Sequence, residues 1–176
     1  MTLDTFWWLL ALLAVIVVAG SAAWAGWRAA PYVPTRQRDV ERMLALAKLR
    51  PGEFVYDLGA GDGRFVLSAA KLGARAIGYE ISFLPYWVAK LRLAVARLGA
   101  NARMEFRDFY HQSLADADVV VCFLTPAAMA KLAPKFSAEL RAGTRIVSYA
   151  FALPGWTPIM KDKPTPGTMA VYVYQR

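Results

Sequence analysis

Three acidic residues and three glycines in this sequence are spaced as a ligand cradle would need them. Asp57 stands two residues ahead of the first glycine in Asp57-Leu58-Gly59-Ala60-Gly61-Asp62-Gly63. Glycines at alternate positions let the backbone turn and approach a ligand closely before a helix begins. A dinucleotide-binding loop would want glycine or alanine at position 64, which is Arg64. A carboxylate as near as Asp57 would also repel a pyrophosphate, and it suits a ligand that is cationic at that end. Glu80 closes the stretch Ala76-Ile77-Gly78-Tyr79-Glu80, where a carboxylate can accept from both hydroxyls of a ribose. Asp108 follows a similar stretch and can accept from the amino group of an adenine. Its neighbour Phe109 offers a backbone N–H and an apolar face. Singly, each acid has an ordinary alternative: Asp57 as a loop cap, Glu80 paired with an arginine, Asp108 as a turn residue.

The elements around these residues place them on one rim. Short strands are expected over 53–57, 76–80, 102–107, 118–124 and 145–151. Two more, over 156–161 and 169–175, flank a Pro/Gly turn region. Helices are expected from an N-cap at Thr35 to about Arg50, from Arg64 to Leu72, from a cap at Ser82 to Leu98, and from Thr125-Pro126 to Leu140. Pro134 should break or kink the last of these. Strands that alternate with helices form a parallel sheet covered on both faces. Ligands bind such sheets at the carboxyl ends of the strands, near the point where strand order reverses. Asp57, the glycines, Glu80, Asp108 and Thr125 all fall at such ends. Cys122 lies in the wholly apolar fourth strand and reads as core.

The chain has 176 residues, 57% of them apolar and 19% charged. That excludes a disordered chain. A single cysteine excludes an internal disulfide, and one histidine, His111, argues against a metal centre. From Thr5 to Trp27 there is no charged residue. These 23 positions would span about 35 Å as a helix, enough for a bilayer core of about 30 Å. Tryptophans at 7, 8, 24 and 27 mark the two ends as interfacial anchors. A cleaved signal peptide fits less well, because MTLD carries no basic charge and the apolar run is long. Asp4 alone precedes the run, while Arg28, Arg36, Arg38 and Arg42 follow it, which puts the remainder in the cytoplasm. That remainder carries one unit more than the chain's +8, a charge that favours anionic lipid headgroups. The expected organisation is an anchor over 1–28, a linker over 29–35 containing Pro31 and Pro34, and a ligand-binding domain over 36–176.

S-adenosyl-L-methionine carries an ammonium and a sulfonium and no phosphate, and so matches the donor set of the rim. DLGAGDGR, GYE and RDFY over this alternation resemble the seven-strand methyltransferases that use it. PYVPT, GYEIS, VVVCFLTP and FALPGWTP resemble a smaller group within them. These are the membrane-associated lysine methyltransferases related to the enzymes that modify the ATP synthase c subunit and the adenine nucleotide translocase. The shared motifs run from Pro31 to about Pro158. Ser82 stands where that group has asparagine, and Thr125-Pro126 is a variant of its fourth-strand ending. The resemblance implies a Rossmann-like seven-stranded sheet preceded by one transmembrane helix. It also implies cofactor contacts at Asp57, Gly59, Gly61, Glu80 and Asp108, to which the residue reading adds Gly63 and Phe109. No metal is expected.

Methyl transfer to a lysine asks for alignment of donor and amine, and for a neutral amine, which a dry aromatic channel favours. Tyr32, Phe109 and Tyr110 are candidates for that channel, with Thr35 and Thr125 as acceptors. Tyr32 could instead be an interfacial anchor, Tyr110 surface packing and Thr125 a helix cap. His111 reads as an incidental loop residue. The expected substrate is a membrane or membrane-proximal protein. The alternatives are a lipid or quinone-like small molecule, nucleic acid, and a non-catalytic cofactor-binding module. Against nucleic acid, the position where base-amino methyltransferases carry an Asn/Asp-Pro-Pro-aromatic tetrad reads Leu124-Thr125-Pro126-Ala127.

Overall fold

Apolar strands that alternate with helices bury both faces of a sheet when helices cover each side. The computed structural model, which describes residues 2–176, is built this way. The expected anchor's first residue, Met1, lies outside the described residues. The strands are β1 (Phe54–Leu58), β2 (Arg75–Glu80), β3 (Ala102–Phe106), β4 (Val119–Cys122), β5 (Arg145–Tyr149), β6 (Met160–Asp162) and β7 (Val171–Gln175). They form one sheet in the order β3-β2-β1-β4-β5-β7-β6. The first five run parallel, and β7 is antiparallel to β5 and β6. Strand order reverses between β1 and β4, which puts Asp57 opposite Gly78 on one side and Val121 on the other.

The helices are α1 (Leu3–Arg28), α2 (Gln37–Leu46), α3 (Arg64–Lys71), α4 (Phe83–Ala96) and α5 (Pro126–Glu139). On one face, α2, α3 and α4 pack Met43, Val66, Ala69 and Ala89 onto Val55, Val119, Val121 and Val147. On the other, α5 packs Met129, Leu132 and Phe136 onto Leu58, Val120, Cys122 and Ile146. Successive residues of β4 thus serve opposite cores, which is why the strand is apolar throughout. Cys122 is fully buried, as a core cysteine should be. α1 is long and apolar enough to cross a membrane by length and composition, and its apolar window is exposed throughout.

Several boundaries differ from expectation, each for a physical reason. The N-cap of α2 is Arg36, without a side-chain bond, because the Thr35 carbonyl is drawn away by Arg64. Pro134 lies inside an unbroken α5. The carbonyl freed by its missing N–H belongs to Ala130, which is exposed to water. Arg97, in the left-handed region at φ 53°, ends α4 ahead of Gly99. The sixth strand shortens to Met160–Asp162 at the sheet edge.

Gly78 decides how closely the glycine loop can lie on the sheet. A Cβ there would come within 2.6 Å of Ala60 Cβ and Met104 Sδ and 2.8 Å of Val66 Cγ2. Ala60 cannot swing away, since its amide donates to the Tyr79 carbonyl at 3.0 Å. Gly78→Ala should therefore destabilise the fold by about 1–3 kcal/mol through overpacking, read as a lower Tm. An unchanged Tm would show that the loop is not seated by this contact.

Candidate functional site

The carboxyl ends of β1 and β2 are joined by the glycine loop, and the joint is made of amides. Gly59 and Ala60 N–H both donate to the Tyr79 carbonyl at 3.0 Å, and Gly61 N–H donates to Glu80 Oε2 at 2.8 Å. Gly59, Gly61 and Gly63 have φ of 80°, 54° and 73°, left-handed values that side chains disfavour. Glu80 Oε1 accepts from Ile81 N–H at 2.9 Å and Ser82 N–H at 2.6 Å. A carboxylate has about four acceptor positions, so one position, on Oε2, is left free, where the sequence reading expected room for both hydroxyls of a ribose. Burial raises the Glu80 pKa against the pull of these three amides.

A cavity of about 470 Å³ opens over this loop. Asp57, Gly59, Gly61, Glu80 and Phe109 border it, and so do Tyr32 and Thr35. Asp57 is buried, yet among the described residues no hydrogen bond is made to its carboxylate. Burial, with the charges of Glu80 and Asp62 beside it, pushes its pKa up to about 8. A buried carboxylate bordering a cavity without a donor fits the ammonium of S-adenosyl-L-methionine. Gly61 lies directly beneath the Tyr32 ring, where a Cβ would be 2.7 Å from Cε2. That brings a residue of the segment between α1 and α2 onto the glycine loop.

Of the remaining expected residues, Gly63, Asp108, Tyr110 and His111 stand back from the cavity, while Thr125 borders it. Gly63 begins α3, where its missing side chain makes room for Ala89, 2.8 Å from a would-be Cβ. The Asp108 carboxylate is taken: Oδ1 accepts from Tyr110 N–H at 2.9 Å and Oδ2 from Arg28 Nε at 2.8 Å. Tyr110 lies under the Arg28 guanidinium, 4.9 Å from its ring centre, rather than in the cavity wall. Burial raises the Tyr110 pKa, and Arg28 works against this. His111 is exposed and 3.3 Å from Arg28 Nη2. The Thr125 hydroxyl donates to the Ala29 carbonyl at 2.6 Å and caps α5 through Ala128 N–H at 3.3 Å, so neither it nor the Thr35 carbonyl is a free acceptor.

Other residues at the site were not singled out from sequence. Arg64, read only as a break in a dinucleotide motif, grips Asp62 with Nε at 2.9 Å and Nη2 at 2.5 Å and holds the Thr35 carbonyl. Arg92 Nη1 adds a third bond to Asp62 at 2.8 Å. Burial opposes the charge on Asp62, but hydrogen bonds from Arg64 and Arg92 outweigh it and hold the pKa at about 2. Phe123 and Phe151, just beyond β4 and β5, complete an aromatic wall with Tyr32. Phe151 is placed by its carbonyl, which accepts from Ser148 Oγ, and by buried Leu153, whose amide donates to Tyr174 OH at 2.8 Å. A phenylalanine near the end of an expected apolar strand was the only signal, and it reads as core.

Comparison with known proteins follows the same lines. A family profile described as the ANTKMT methyltransferase domain matches residues 57–160. A protein-lysine N-methyltransferase of Saccharolobus islandicus is 38% identical over 153 residues, covering 82% of this chain and 92% of that protein. The adenine nucleotide translocase lysine N-methyltransferase of Mus musculus is 43% identical over 132 residues, covering 73% of this chain and 56% of that one. The chain therefore spans little more than half of this mouse relative. The structure of an RNA methyltransferase from Salinibacter ruber, in complex with S-adenosyl-L-homocysteine, superposes with a TM-score of 0.77 at 33% identity. The match covers 81% of this chain and 93% of that one.

Because the folded pKa of Asp57 lies above its unfolded value, this group's contribution to stability is complete at low pH. It is lost as pH rises toward about 8. Asp57→Asn does not titrate. Without ligand, the variant should gain Tm over the parent as pH goes from 5 to 8. A gap that stays flat across that range would mean the carboxylate is not strained in the free protein.

Proposed function

The chain belongs to the ANTKMT methyltransferase domain family and is an S-adenosyl-L-methionine-dependent methyltransferase. From that premise we propose that it methylates lysine side chains of a protein at the cytoplasmic face of a membrane, to which α1 anchors it. The observation that carries this reading is the shared construction of one cavity. Its floor is the cofactor rim of Asp57, Gly59, Gly61 and Glu80, and its roof is Ala25 and the segment 29–35, directly continuous with the apolar helix. A lysine that reaches this cavity does so beside the end of α1. The relatives named for protein-lysine methylation support the choice of acceptor.

S-adenosyl-L-methionine supplies an electrophilic methyl group on a sulfonium. The residues of this chain bind, align and keep water out. Asp57 takes the ammonium and Glu80 a ribose hydroxyl. Phe109 packs at the far end. Asp108 reaches the adenine amino group if Arg28 shares it. Tyr32, Phe123 and Phe151 surround the approaching amine, and a dry aromatic wall lowers its pKa so that it arrives neutral. In-line transfer then needs the two partners held about 3 Å apart and aligned, with no obligatory general base. Tyr110 stands back from the cavity and the Thr35 carbonyl is held by Arg64, which leaves the Thr35 hydroxyl as the polar candidate and Tyr32 as the leading aromatic contact. The organisation into an anchor over 1–28, a cavity-roofing linker over 29–35 and a catalytic domain over 36–176 follows from the same reading.

A second reading, methylation of RNA, is favoured by the likeness to the Salinibacter RNA methyltransferase and by the net charge of +8. One experiment separates the two. Full-length protein, labelled S-adenosyl-L-methionine and membranes from cells lacking the gene are incubated, then resolved into protein, lipid and nucleic acid. Label is expected in a discrete protein band, at a lysine by peptide mapping. Loss of the buried charge in Asp57→Ala should reduce it on the order of 100-fold. Label confined to RNA or to the organic extract would overturn the lysine reading.

A further inference from the structure

Helix α4 turns its apolar side outward. At 100° per residue, Leu84, Trp87, Val88, Leu91 and Val95 fall within an arc of about 100°. All five are exposed, Leu91 by 68% and Val95 by 74%. The buried side carries Pro85, Ala89 and Leu93. A surface helix ordinarily does the reverse, and a contiguous apolar stripe on a surface marks an interaction site. Phe83 and Phe106 widen it at the start of the helix, their rings 6.5 Å apart. α4 contains no acidic residue. Exposed Lys90 and Arg97 flank the stripe, with Arg103 and Arg107 exposed on and just beyond the edge strand β3.

What covers this face can be read from α1. Residues Leu3–Val17 are exposed on every side. Covered positions begin at Val18 and recur at Ser21 and Ala25, three and four residues apart. The contact there is with α4: Phe83 N–H donates to Ser21 Oγ at 3.1 Å. The free part of α1 is about 22 Å long at 1.5 Å per residue, while a hydrocarbon core is about 30 Å thick. A span by α1 must therefore take in the level of Ser21, and with it the first turn of α4. Trp24 and Trp27, both exposed, then lie at headgroup depth, as aromatic anchors do.

We propose that α4 lies in the bilayer interface, with Leu84, Trp87, Leu91 and Val95 among the acyl chains and Lys90 and Arg97 against anionic headgroups. The protein is then held by two elements, and its rotation about α1 is fixed. This rests on the reading of α1 as a span.

Full-length Leu91→Cys, Leu13→Cys and Ala138→Cys proteins, each labelled with an environment-sensitive dye and reconstituted into vesicles of phosphatidylcholine and phosphatidylglycerol, test the proposal. Ala138 is exposed on α5, which covers the other face of the sheet. Cys122 does not compete for the dye, being fully buried with its thiol pushed up to about 12 by burial. The dye at position 91 should shift to the blue and be quenched by nitroxide lipids as at position 13, while position 138 stays bright. Quenching at 13 alone would overturn the proposal and leave the span standing. Quenching at none would overturn both. A dimer cross-linked through Leu91→Cys, with no quenching there, would assign the face to a second copy and overturn the proposal.

Discussion

The end of β2 consumes the amides of the glycine loop, and the site follows from that. Two go to the Tyr79 carbonyl and one to Glu80, so three successive donors are satisfied by one strand end. A buried amide left without a partner would cost about 1–3 kcal/mol, which makes the loop's path close to obligatory. The loop can lie this low only because Gly78 presents no side chain to Ala60 and Val66. Those amides are then unavailable to Asp57, whose carboxylate is left facing the cavity with no protein donor. The bonding that orders the loop is thus also what leaves a buried carboxylate open to the cavity.

Much of this was legible in the sequence, and the reason is locality. Alternating apolar strands, glycines at loop positions and the charge-free run from Thr5 each announce themselves within a short window. Placing Asp57 and Glu80 at strand ends needed only that pattern. The partner of Asp108 was not legible, because Arg28 is 80 residues away and belongs to a segment read as an anchor. Phe123 and Phe151 were missed for a related reason: each looks like core until two strand ends are brought side by side. Arg64 shows how a motif can mislead by subtraction. Its mismatch to a dinucleotide loop was visible, but its grip on Asp62 and on the Thr35 carbonyl was not.

Helix α4 makes a similar point about faces. Its apolar residues form a stripe whichever way the helix is turned, and such a stripe read alone argues for burial. Small residues on the opposite side, Ala89 among them, decide the matter, since only they fit against Gly63. The sheet claims the side that packs closely, and the larger apolar side chains are left outside.

The Ala29 carbonyl takes both the amide and the hydroxyl of Thr125, while Tyr32 roofs Gly61 and Arg28 holds Asp108. The N-terminal helix and the fold behind it are therefore not independent parts. Replacing α1 and the segment after it with another apolar helix would discard a wall of the protein's own chamber. Substitutions in the exposed turns Leu3–Val17 leave that wall intact, but from Ser21 to Thr35 any change must be matched by the fold behind it.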